Sequence, residues 1–295
     1  MNKRGEAIAY GAITIVNALA TGKGAAFGID LWTKARVELT NNGELETTIL
    51  NDRAESTVLV EKCARAVLDR FGGKTFGARI QTESNIPIAR GLKSSSVAGN
   101  AVTLATLKAL EEHMDPNEML NLVVDASLEA KVSITGAFDD ASASLYGNVV
   151  VTDNMARKVL RMFPIEEYCV LLLVPPTKTY TAEVDMSRIK TLAKQADIAH
   201  KEALNGNYWS AMTLNGLIYS NALRLPVDVI IESLEAGALA AGVSGKGPAY
   251  AFVVEEEVED QVLSVLKERE GEVRVSKTRR EASLPTLTLE NRERG

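Results

Sequence analysis

The sequence predicts an α+β protein of two lobes, on three observations. Strand-like and helix-like segments are interleaved without the steady strand–helix–strand alternation of a doubly wound parallel sheet. The patterning breaks near residues 150–165, which divides the chain into units of 1–155 and 156–295. The 295 residues, 46% hydrophobic and 24% charged, are enough to bury a sizeable core in one large domain or two ordinary ones.

Residues 6–17 and 29–40 read as strands, and the second, IDLWTKARVEL, alternates as a half-buried strand does. Asn41-Asn42-Gly43 is a turn signal. TVLVEKCARAVLDRFGG (57–73) spaces its apolar residues as a helix and ends on a glycine pair. TFGARIQTES (75–84) alternates again, and a helix is expected from about Ser95 to His113. Asp115-Pro116-Asn117-Glu118 is a helix start, with Asp as N-cap, Pro at N1 and Glu at N3, and that helix runs to about Lys131. SITGAFDDASASLYG (133–147) begins as a loop and turns helical near Asp139. GNVVVTD and RKVLRMFP form a strand pair, and YCVLLLVPP (168–176) is a buried strand stopped by prolines. Helices fill 186–240 with breaks near Gly206 and Pro226, then come the strand AYAFVV (249–254), the helix EDQVLSVLKERE and the strand EVRVSKT. The tail from about Arg280 is polar, as mobile termini are.

The net charge of −6 argues against a nucleic-acid partner, which selects a basic balance, but a local Lys/Arg cluster can still serve an anionic substrate. Cys63 and Cys169 stand alone, as do His113 and His200, so neither a disulfide framework nor a zinc site is expected, and a reducing cytoplasm fits. The basic start, the uncharged run 7–22 and the Ala18-Leu19-Ala20 triplet imitate a secretion signal. Glu6, Gly11, Thr14 and Asn17 interrupt that pattern and favour a first strand. No stretch approaches the ~18 apolar residues of a membrane span.

Two familiar nucleotide patterns fail. Gly73-Lys74-Thr75 ends like a Walker A loop, but position 68 holds Leu where glycine is required, and GKGAAF (22–27) places Phe27 where a dinucleotide fingerprint needs glycine. PIARGLKSSS (87–96) offers another design. Gly91 permits close backbone approach, the serines open a helix whose first amides lack internal partners, and Arg90 and Lys93 flank the turn. Taken alone, the serines are equally readable as an ordinary N-cap.

That stretch resembles the P-x-x-x-G-L-x-S-S signature of the GHMP kinases (galactokinase, homoserine kinase, mevalonate kinase and relatives). GAFDD (136–140) is similar to the family's segment carrying a catalytic aspartate, and GVSGKGPAYAFV (242–253) to its C-terminal glycine-rich motif. VNALATGKGAAFGID, RGLKSSSVAGNA and SITGAFDDASAS resemble the archaeal-type shikimate kinase branch. The resemblance implies an N-terminal lobe like ribosomal protein S5 domain 2, a ferredoxin-like C-terminal lobe, and ATP-dependent phosphorylation of a small alcohol between them. Shikimate is the acceptor it suggests, with homoserine or mevalonate, or a non-catalytic ligand-sensing module on the same fold, as alternatives.

Residue by residue, the resemblance implies that Pro87, Ile88, Ala89, Arg90, Gly91, Leu92, Lys93, Ser94, Ser95 and Ser96 cradle the phosphates of ATP, with Gly245 and Gly247 closing over them. Ser95 and Glu129 would ligate Mg²⁺, an oxygen-seeking ion that keeps several waters. Asp139 would orient the acceptor hydroxyl and take its proton, with Asp140 as rival or as a helix cap. Many relatives place a cation near this aspartate from the first strand. Here that position reads Tyr10-Gly11-Ala12, and Lys23 is the nearest substitute. Asn17, Thr21 and Lys23, in the loop where relatives contact the acceptor, and Lys178 after the prolines, are candidate acceptor-binding residues. Each is otherwise readable as a solvated loop residue.

Overall fold

The computed structural model describes residues 3–72, 76–177 and 185–283. In the first lobe, a single long strand is the organiser. β2 (Lys23–Thr40) pairs antiparallel with β1 (Arg4–Val16), with β4 (Gly77–Ser84) along its second half, and with β5 (Val149–Asp153) along its first. β3 (Leu45–Ile49) adds to β4 in parallel and β6 (Lys158–Phe163) adds to β5, completing a six-stranded sheet. β2 starts at Lys23, earlier than the alternating pattern indicates. Residues 24–29 are buried on both faces, so no polar positions alternate there.

Four helices accompany this sheet. α1 (Val58–Val67) runs into one wide turn over Leu68–Gly72. α2 (Ser94–Leu110) is buried around most of its circumference and packs on β1 and β2. α3 (Pro116–Glu129) starts at the expected cap, where the Asp115 carboxylate accepts from the amide of Asn117 at 2.8 Å. α4 is Phe138–Tyr146.

The boundary expected at 155 falls later. Residues 158–163 are the outer strand of the first sheet, because β5 and β6 form one hairpin turning at 154–157. The second lobe begins with β7 (Cys169–Val174) and continues through α5 (Met186–Lys190), α6 (Ala193–Leu204), α7 (Tyr208–Ala222), α8 (Asp228–Glu235), β8 (Ala240–Val243), β9 (Tyr250–Val254), α9 (Glu259–Lys267) and β10 (Glu272–Lys277). Its sheet is antiparallel throughout, in the order β10-β7-β9-β8, the strand order of a ferredoxin-like lobe.

This second sheet is covered on both faces. Leu171, Leu173, Tyr250, Phe252 and Val254 face one cluster with the lobe's own helices, while Val170, Leu172, Ala251 and Val253 join a cluster that also holds Ile13, Phe27 and Val37 of the first lobe. Period-two alternation with apolar residues on both faces explains the near-continuous run CVLLLV. Trp209 sits at the junction, edge-on to Phe27, Tyr168 and Tyr208.

The polar tail does not simply trail off at Arg280. Past β10 the chain recrosses to the first lobe: Arg279 N donates to Gly28 O at 2.8 Å, Asn148 N to Arg279 O at 2.8 Å, and Ser283 N to Leu145 O at 2.8 Å. Cys63 and Cys169 are both free thiols, and burial pushes the Cys63 thiol up to about 12. Among the described residues no helix is long and apolar enough to cross a membrane.

Candidate functional site

A cavity of about 310 Å³ opens where the start of α2 meets the start of α4 and the turn between β8 and β9. The chain reaches α2 through three left-handed residues, Ala89 (φ 56°), Gly91 (φ 83°) and Lys93 (φ 65°). At Gly91 a side chain has no room: a Cβ would lie 2.9 Å from Gly247 O and closer still to Ser244 O. The turn is pinned there, with Ser244 Oγ donating to Gly91 O at 2.9 Å and Ala249 N to Arg90 O at 3.1 Å. The C-terminal glycine motif thus packs on the turn of residues 87–96.

α2 begins with Lys93 at its N-cap and no side-chain cap bond. Val97 N makes the first intrahelical bond, to Lys93 O at 3.2 Å, so the amides of Ser94, Ser95 and Ser96 have no acceptor within the helix. All three serines line the cavity. Unpaired amides at a helix N-terminus, together with the partial positive charge there, favour an anion.

The ten-residue stretch divides by direction. Ile88, Ala89, Gly91, Lys93 and the serines line the cavity. Leu92 is 1% exposed and anchors the turn in the core. Pro87 and Arg90 face a separate cleft on the far side, with Arg274 and Pro175, and do not line this cavity. A turn must present opposite faces to core and ligand, and sequence proximity hides that division.

Asp139 and Asp140 enter from the first turn of α4, 4% and 8% exposed. Asn154 holds Asp139 twice: its Nδ2 donates to Asp139 Oδ1 at 2.7 Å, and its Oδ1 accepts from Asp139 N at 3.2 Å. Thr152 Oγ1 donates to Asn154 Oδ1 at 2.7 Å and so fixes the amide's orientation. The other side of the carboxyl lies on Gly24, where a Cβ would meet Asp139 Cγ at 2.7 Å and Cβ at 2.9 Å. The Asp139 carboxylate is therefore held in one orientation against bare backbone.

Asp140 has a different partner. Lys93 Nζ stands 2.8 Å from Asp140 Oδ1, with both side chains about nine-tenths buried. Burial, and then the neighbouring charge of Asp139, push the Asp140 carboxyl up to about 7, against the opposing pull of Lys93. Such a pair is a poor source of stability, since two desolvated charges seldom outperform apolar residues of the same size. A lysine in left-handed backbone adds a further cost of about 1–2 kcal/mol.

The candidate acceptor residues fare unequally. Asn17 lines the cavity, but its side chain is engaged: Nδ2 donates to Gly245 O at 2.5 Å and Oδ1 accepts from Leu19 N at 3.0 Å. It locks the 17–22 turn to the glycine motif. Thr21 Oγ1 accepts from Lys23 N at 3.2 Å, a local turn bond, and Lys23 pairs with Asp197 of α6 at 2.9 Å. Neither lines the cavity, so Lys23 does not supply the missing cation beside Asp139. Lys178 lies outside the described residues. Gly245 lines the cavity, whereas Gly247 packs on Leu225 beneath it.

Glu129 is not brought to the site. Its side chain is 63% exposed and pairs with Lys62 at 2.7 Å. The helix explains this: Ser127 lines the cavity, and Glu129, two residues further along α3, projects from nearly the opposite side. Among the described residues no three His, Cys, Asp or Glu side chains gather to hold a metal ion unaided. A magnesium ion carried on phosphates asks the protein for only one or two oxygens. The Ser95 hydroxyl in the cavity fits that demand.

Sequence reasoning missed several participants. Gly24 and Asn154 hold Asp139, and the one available signal was the run of small residues around Gly24. Lys131 and Lys246 add two more ammonium groups to the cavity wall. Asn154 had no signal, because a lone Asn after a strand is ordinary turn chemistry.

Two known family patterns match the chain, GHMP kinases N terminal domain over residues 58–148 and GHMP kinases C terminal over residues 190–272. A shikimate kinase of Methanothermobacter thermautotrophicus is 42% identical over 271 residues, covering 90% of this chain and 92% of the relative. A shikimate kinase of Methanothrix thermoacetophila is 42% identical over 270 residues, covering 92% of each. Among solved structures, L. major mevalonate kinase in complex with R-mevalonate superposes with a TM-score of 0.74 at 15% identity, covering 96% of this chain and 98% of that one. At that identity the likeness speaks for the fold alone.

Proposed function

The chain belongs to the GHMP kinases, and on that premise we propose that it transfers the terminal phosphoryl group of ATP to shikimate, giving shikimate 3-phosphate and ADP. One observation carries the kinase reading: the unpaired amides of Ser94–Ser96 and the clamped Asp139 carboxylate line the same cavity. Identity of 42% over nine-tenths of the chain to a shikimate kinase supports the choice of acceptor.

In this reading Gly91 and Ser94–Ser96 receive the phosphates through backbone N–H groups and hydroxyls. Asn154 and Gly24 aim Asp139 at the acceptor hydroxyl. As the acceptor oxygen bonds to phosphorus, its proton passes to Asp139, and the bond from phosphorus to the bridging oxygen breaks with its electron pair remaining on ADP. Little covalent help is required of the protein, since alignment and charge neutralisation supply most of the rate in phosphoryl transfer. Ser95 would hold a magnesium ion on the phosphates, where it would neutralise part of their charge. Lys246, on the glycine-rich turn at the cavity wall, is the cation we assign to the acceptor's carboxylate. The family and the buried cysteine suit a cytoplasmic small-molecule enzyme.

The test is ADP release, coupled to a reporter, with shikimate, homoserine and mevalonate offered separately, and phosphorus NMR of the product. Turnover of shikimate well above the others is expected. Turnover of homoserine or mevalonate in its place rejects the acceptor, and nucleotide binding without ADP release from any acceptor rejects the enzyme.

A further inference from the structure

The cavity holds a charge arrangement that the phosphate loop and the clamped aspartate do not account for. Strand β1 brings no cation to Asp139: Gly11 packs on Ile29, and Ala12 is fully buried. Lys23 is spent on Asp197. Of the lysines that line the cavity, Lys93 is the one whose ammonium is buried beside the two carboxylates. Its backbone sits on the phosphate loop, one residue before the unpaired amides, and its Nζ reaches back across the start of α4 to Asp140, close to Gly245.

We propose that Lys93 is a catalytic residue that delivers its ammonium to the phosphoryl group in flight, and that Asp140 is the positioning residue that fixes it there. The inference rests on the kinase reading above. An ammonium has three N–H donors, and Asp140 is the partner it has among the described residues, so donors remain for phosphate oxygens. As the bridging bond breaks, negative charge gathers on the departing oxygen and spreads over the transferring group, and a fixed cation there strengthens as the transition state forms. Stability does not explain the pair, because left-handed backbone at residue 93 suits glycine and a buried ion pair seldom surpasses a neutral replacement. Two features that disfavour folding converge on one lysine, at the point where this chain lacks the first-strand cation. The phosphate loop thus supplies the cation itself, with Asp140 as its tether.

The full-length protein tests this in two arms. In the first, Lys93→Gly is combined with Asp140→Asn, which removes the pair whole. The melting temperature is expected to stay level or rise, while kcat for the preferred acceptor falls by about 100-fold or more and the KM for ATP moves less than about five-fold. In the second, the Lys93→Cys variant is alkylated with 2-bromoethylamine, which rebuilds a lysine-like ammonium through a thioether. Activity is expected to fall as in the first arm and to recover to within about ten-fold of the parent, with the reagent-treated parent as control for Cys63 and Cys169. A double variant with kcat within about three-fold of the parent overturns the proposal. So does a loss confined to the KM for ATP, or a fully alkylated Lys93→Cys protein that stays inactive. The alkylation arm decides the question if the double variant does not fold. If the parent ignores shikimate but phosphorylates another alcohol, the proposed acceptor fails, and both arms are read on that alcohol instead.

Discussion

Gly24→Ala adds one methyl group to the backbone under Asp139. Its Cβ would lie 2.7 Å from Asp139 Cγ and 2.9 Å from Asp139 Cβ, and nearer still to Oδ2. Carbon atoms in ordinary contact stand at about 3.5 Å or more, so the carboxyl carbon has to retreat by roughly 0.8 Å. Rotating the carboxyl does not relieve this, because Cβ is crowded too and Oδ1 is tied to Asn154 at 2.7 Å. Displacement of a reacting group by about 1 Å costs on the order of 100-fold in rate. We therefore expect kcat in the coupled ADP-release assay to fall by about 100-fold, with ATP affinity within about three-fold, since the phosphate loop is untouched. Overpacking of this kind destabilises by about 1–3 kcal/mol, a shift of a few degrees in Tm for a chain of this size. Adding Asp139→Asn on top of Gly24→Ala should then do little more than Asp139→Asn alone, because both act through one carboxylate. A Gly24→Ala protein with near-parental kcat, or a double variant whose losses multiply, would refute the claim that Gly24 acts by placing Asp139.

Other expectations follow from the same site. Asp139→Asn should leave ATP affinity within a few-fold, measured by nucleotide titration, and cut turnover by about 100-fold or more, as loss of a general base does. Ser95→Ala should raise the Mg²⁺ concentration for half-maximal turnover, whereas Glu129→Ala should leave the Mg²⁺ titration unchanged and alter stability by no more than about 0.5 kcal/mol, since its ion pair with Lys62 is exposed. Asp140 has a folded value of about 7 against 3.8 for the free side chain, so the folded state binds its proton more tightly than the unfolded chain does. Its contribution is fully favourable below about pH 4 and is lost as pH rises to about 7. Melting curves across that window should flatten in Asp140→Asn relative to the parent.

The parts of the site carried by local sequence are legible in the chain itself. The turn proposed to take phosphate is written in consecutive residues, with Gly91, Lys93 and three serines giving the bend, the charge and the open helix end. Asp139 sits in a segment of the same kind. What could not be seen is what approaches from distant chain. Asn154 lies 15 residues from Asp139 and reaches it because β5 runs beside α4. Glu129 was misplaced for the opposite reason: a position counted along the chain says nothing of azimuth, and the helix turns that side chain toward Lys62. Fold class was readable from element order, but the lobe boundary was not, since the β5–β6 hairpin breaks the pattern without leaving the sheet. The early start of β2 was hidden because a strand covered on both faces has no polar alternation to show.

The shared apolar cluster beneath the cavity constrains how ligands come and go. Val170, Leu172 and Val253 share one buried apolar cluster with Ile13 and Phe27, and swinging the halves apart would break that cluster open. Domains joined through large greasy contacts do not hinge freely. A route that spares that cluster would pass the surface segments of the cavity lining: the one bearing Glu55, and the stretch 131–135 with its lysine and hydroxyls.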